Sequence, residues 1–62
     1  MIFLVVFKMF LFGNAGWEQQ YIDEEEAWQK YKFVSKNLRD GQDVALVVVE
    51  HDSVHMLAAA MK

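Results

Sequence analysis

Two apolar runs bracket a polar middle in this chain. Residues 2–12 (IFLVVFKMFLF) are broken only by Lys8, and residues 44–50 (VALVVVE) are apolar up to the last position. Neither run has the 3.6-residue period of an amphipathic helix. Both are rich in Val or Phe, β-formers that suit strands buried on both faces. Residues 17–22 (WEQQYI) are short and half polar, as an edge strand tends to be. Gly13-Asn14-Ala15-Gly16 supply positive-φ positions for a hairpin loop between the first two strands.

Asp23-Glu24-Glu25-Glu26 opens a helix over residues 24–40. Asp23 is its N-cap, Glu26 stands at the capping-box position, and Ile22 and Ala27 fall at the staple positions. The glutamates sit where the helix dipole is positive. Ala27, Tyr31, Val34 and Leu38 follow at i, i+4, i+7 and i+11, one stripe of a helix. Lys36 and Arg39 suit its C-terminal end, and Gly41 reads as the residue just past it. Residues 53–62 (SVHMLAAAMK) contain Ala, Leu and Met, which favour a short second helix capped by Asp52 or Ser53. The elements compose one α+β domain over residues 1–62. It is a ββαβ unit with one main helix on a three-stranded, mostly antiparallel sheet of order 2-1-3.

If Phe12 pairs with Trp17, the faces of the sheet follow. Face A carries Ile2, Leu4, Val6, Lys8, Phe10 and Phe12 with Trp17, Gln19 and Tyr21. Face B carries Phe3, Val5, Phe7, Met9 and Leu11 with Glu18, Gln20 and Ile22. The staple residue Ile22 belongs to face B, so the helix is expected over face B. Face A is then left as an apolar patch larger than monomers usually expose. The C-terminal segment, with Val54, Leu57, Ala58 and Met61 along one side, covers part of it. A second copy packed about a two-fold axis is the simplest cover for the rest, with the Lys8 ammonium reaching water at the edge.

Composition supports that expectation. A 62-residue chain buries a small core, and at 55% hydrophobic residues this one has apolar surface to spare. The absence of Cys rules out disulfides and thiolate metal sites, and fits a reducing, cytoplasmic setting. The net charge of -3 argues against general nucleic-acid binding, which needs a basic footprint. Residues 2–12 are too short to span a membrane as a helix. They have the length of a signal-peptide core, which keeps an exported or membrane-associated microprotein as the alternative class, although Lys8 interrupts them and no basic start precedes them.

Few residues suggest chemistry. His51 and His55 stand at i and i+4, a spacing that holds zinc on one helix face, but no third ligand accompanies them. A metal-dependent activity there is a third reading, and no cofactor is expected. The acidic run 23–26 is explained by helix capping. The outer helix face carries Lys32, Phe33 and Lys36, cations beside an aromatic ring, and Phe33 points away from the core stripe. No serine has a base beside it, and no glycine loop cradles a phosphate, so a catalyst is not expected.

The succession of apolar strand, Gly/Asn turn, polar strand begun by Trp17, DEEEAW helix, glycine and Val-rich strand resembles small ββαβ accessory proteins encoded by bacteriophages and mobile elements. Some of these block host machinery such as RNA polymerase or CRISPR complexes. The likeness covers residues 2–50 in layout and carries no functional residue across. It implies a stoichiometric binder. The reading is therefore a small non-enzymatic protein-binding module, an inhibitor or regulator acting as a homodimer or on a host protein. Its expected partner-binding residues are Phe10, Phe12, Trp17, Lys32, Phe33 and Lys36.

Overall fold

The first strand, β1 (Ile2–Met9), is hydrogen-bonded on both sides, as a run apolar on both faces requires. The structure is a computed structural model and describes residues 1–9 and 15–62. The remaining elements are β2 (Ala15–Tyr21), α1 (Glu24–Lys36), β3 (Gln42–Glu50) and β4 (Ser53–Met61). The sheet has the order β2-β1-β3-β4, and every neighbouring pair is antiparallel. The α+β class, the single main helix and the inner order 2-1-3 match the sequence expectation. The strand count does not, because the C-terminal segment is a fourth strand.

That segment departs from helix propensity because β3 offers it a complete ladder. His51 and Asp52 turn the chain, Ser53 pairs with Glu50, and the pairing continues to Met61 opposite Asp43. A bulge interrupts it: Leu46 pairs with Ala58 and Val47 with Met56, so Leu57 is the extra residue. Propensity differences of a few tenths of a kcal/mol per residue yield to such tertiary pairing.

Helix α1 begins at Glu24 with Asp23 as its N-cap, as its sequence dictates. Asp23 takes an extended conformation, and its carboxylate accepts a hydrogen bond from the Glu25 N–H at 3.0 Å. The Trp28 indole donates to the Glu24 carboxylate at 3.1 Å, tying the first two turns together. The staple does not form, since Ile22 is 87% exposed. The helix also stops earlier than residue 40, with Asn37 as its C-cap. Gly41 instead serves the turn into β3. Its φ of 82° is open to glycine, and the turn is closed by the Gln42 N–H bonding the Arg39 carbonyl at 3.0 Å.

The register of β1 and β2 differs from the expected one. Trp17 pairs with Phe7, not with Phe12, and the ladder runs from Phe3↔Tyr21 to Met9↔Ala15. The shift from 12 to 7 is odd, so it moves every β2 side chain to the other face. Trp17, Gln19 and Tyr21 therefore share the face of Phe3, Val5 and Phe7, while Glu18 and Gln20 share the face of Leu4 and Val6. Helix α1 does lie over the Phe3–Val5 face. Its Ala27 and Tyr31, with Leu38 beyond its end, close a core with Phe3, Val5, Val44, Leu46 and Val48. Ala27 has no side chain beyond Cβ, which lets the helix approach the sheet closely. Among the described residues, no helix is long and apolar enough to cross a membrane.

Two substitutions test these features. Asp23→Ala should cost about 1 kcal/mol, the usual loss of an N-cap carboxylate, read as a lower denaturation midpoint. At Gly16 an added Cβ would meet the Phe7 carbonyl oxygen and lie 3.2 Å from Lys8 Cα. Gly16→Ala should therefore cost about 1–3 kcal/mol through the shift it forces on β2, which circular dichroism melting will show.

Candidate interaction surface

Strands present alternate residues to opposite faces, so the register assigns every side chain of the sheet. Helix α1 covers one face. The other carries Ile2, Leu4, Val6 and Lys8 from β1, and Asp43, Ala45, Val47 and Val49 from β3. From β4 it takes Val54, Met56, Ala59 and Met61, and from β2 it takes Gly16, Glu18 and Gln20. No element of the described chain packs over this face. The molecule spans only 15 Å along its thinnest axis, room for one helix layer and one sheet layer.

The open face is apolar at its centre. Across β1, β3 and β4 its only charges are Lys8 and Asp43, which stand opposite each other at one end. Leu4, Val6, Ala45, Val47 and Val49 are half-buried by their neighbours, whereas Met61 is 77% exposed and Met56 66%. The small side chains of Ala45 and Ala59 leave a hollow of about 420 Å³, bordered by Val6, Lys8, Asp43 and Met61. A second hollow, of about 360 Å³, lies at the β1–β2 end of the sheet and is lined by residues of both faces, Val6, Lys8, Gly16 and Glu18 with Phe7, Met9 and Trp17. With strands about 4.8 Å apart and a rise of about 3.3 Å per residue, four strands of eight residues measure about 19 Å by 26 Å, on the order of 500 Å² in plan. Contiguous exposed apolar patches of a few hundred Å² mark interaction sites.

The expected contact residues divide into three groups. Phe10 and Phe12 lie outside the described residues. Trp17, expected on the open face, is on the helix side. Its ring stacks on Phe7 with centroids 5.4 Å apart, and the Lys30 ammonium sits 5.2 Å from its centroid. Trp17 therefore seals the corner between β2 and α1 while remaining 39% exposed. Lys32, Phe33 and Lys36 stand on the outer side of α1 as expected, all exposed. The sequence hides the contribution of β4 to the open face, because Val54 and Met61 also fall on one side of a helix.

The histidine pair loses the helix on which its ligand spacing depended. His51 is in the β3–β4 turn and His55 is on β4, where its Nε2 lies 3.1 Å from the Ser53 hydroxyl. Among the described residues, no three His, Cys, Asp or Glu side chains gather into a group that could hold a metal ion. No protein-family model, curated protein or solved structure matches this chain.

Proposed function

We propose that this chain is a non-catalytic protein-binding module whose working surface is the open sheet face. The observation that carries this reading is the broad apolar field of β1, β3 and β4, without a covering layer among the described residues and with its two charges at one end. Such a surface suits a broad protein contact better than it suits a small substrate, which calls for a concave pocket with convergent polar groups. The small core gives the same direction. Chains of this size gain stability from a partner, and burying this face would add apolar area that the fold alone leaves in water. On this reading the chain is a stoichiometric binder, an inhibitor or regulator of another protein.

A photo-crosslinking side chain at Val47, in the middle of the face, tests the reading in cells that express the chain. It should give a discrete protein adduct, whereas the same probe at Glu25, on the exposed first turn of α1, should give none. No adduct from Val47 would overturn the reading. An adduct obtained only from a probe at Phe33 would also overturn it, and would move the contact to the outer side of α1.

A further inference from the structure

We infer that the occupant of the open face is a second copy of this chain, docked about a two-fold axis that runs along the strands between β1 and β3. The inference rests on the interaction-surface reading above and names its partner. The rotation keeps each residue's level along the strands and exchanges the two sides of the axis, so it brings each residue over the partner copy's version of its own cross-strand neighbour. The register then fixes what meets what. Val6 lies over the partner's Ala45, and Leu4 over the partner's Val47. At the outer strands, Met61 of β4 reaches the level of Gly16 on the partner's β2, and Ala59 the level of Glu18.

Three properties of the face favour this match. Size alternates at this end: Val6 is set against Ala45, which borders the hollow of about 420 Å³, and the exposed Met61 is set against Gly16, which has no side chain. Charge also matches. Lys8 comes over Asp43 of the partner and Asp43 over Lys8, giving two equivalent ion pairs at one end of the contact and none in its apolar centre. Stacked sheets lie about 10 Å apart with strands within about 30° of each other, an offset that the flexible lysine stem can follow. Finally, the area suffices. Two faces of about 500 Å² in plan remove on the order of 1,000 Å² in total, where specific interfaces begin. An unrelated partner would need to reproduce both the relief and the charge order, which a second copy supplies by symmetry.

Sedimentation equilibrium on the purified chain at 1–100 µM, combined with charge reversal, tests the inference. The unaltered chain should sediment as a dimer. Lys8→Asp alone and Asp43→Lys alone should each dissociate at least tenfold more readily, because each sets like charges against each other in both pairs. An equimolar mixture of the two variants should recover the dimer, since both pairs are then opposite in sign. Circular dichroism should show both variants folded, as neither site lies in the core. As a second probe on the same surface, Ala59→Arg should weaken the dimer without loss of fold. A monomer at 100 µM would overturn the inference. A dimer that is indifferent to both reversals, or a mixture that fails to recover, would overturn it as well. If the chain is monomeric yet the probe at Val47 still yields an adduct with a different protein, the interaction surface stands and the second copy does not.

Discussion

A single helix can cover only one face of a sheet, and this sheet is apolar on both. At about 1.5 Å per residue, the 13 residues of α1 reach roughly 20 Å, enough to lie along the sheet but with the width of only one helix. The residues beneath it, Phe3, Val5, Val44, Leu46 and Val48, are the ones removed from water. The alternate residues of the same strands, Leu4, Val6, Val47 and Val49, are as apolar but have no second layer among the described residues. Period-two geometry makes this unavoidable. A strand composed of Val, Leu, Ile and Phe presents apolar groups both ways, and the described chain has no other element left to place on the second side.

Much of this could be read from composition and period. β1, β3 and the start of α1 follow from apolar runs and from the cap chemistry of Asp23, both of which act over a few residues. The β1–β2 register could not be read in the same way. The apolar run continues past Met9, so nothing in it marks where pairing with β2 begins. An error of one odd step then moves Trp17 from one face to the other. The expected position of the helix over the Phe3–Val5 face holds, but the premise for it does not. Ile22 is neither a staple nor a member of that face; it stands in water.

The fourth strand was hidden by its own irregularity. A regular strand would show its open-face residues two apart. The bulge at Leu57 inserts one residue, so Val54, Met56, Ala59 and Met61 are spaced by two, three and two. Taken with Leu57 and Ala58, that sequence imitates the i, i+3, i+4, i+7 stripe of a helix, and the three alanines strengthen the imitation. The histidine spacing misleads for the same reason. His51 and His55 are four apart on a helix that does not exist, and they occupy instead a turn and a strand.

The bulge also bears on where this sheet can associate. An antiparallel sheet with exposed edges is a template for further strands, and growth along an edge has no natural end. Here β4 is bent at Leu57, within its exposed edge, and β2 is polar through Glu18, Gln19 and Gln20, two of the devices that blunt edge pairing. The apolar surplus lies on the face, where backbone hydrogen bonds are already satisfied and the contact is made by side chains alone. A face differs from an edge in a second way: one partner consumes it. Surplus surface held on a face and kept off the edges favours a closed assembly over an open-ended one, which is the safer arrangement for a chain with this much exposed Val and Met.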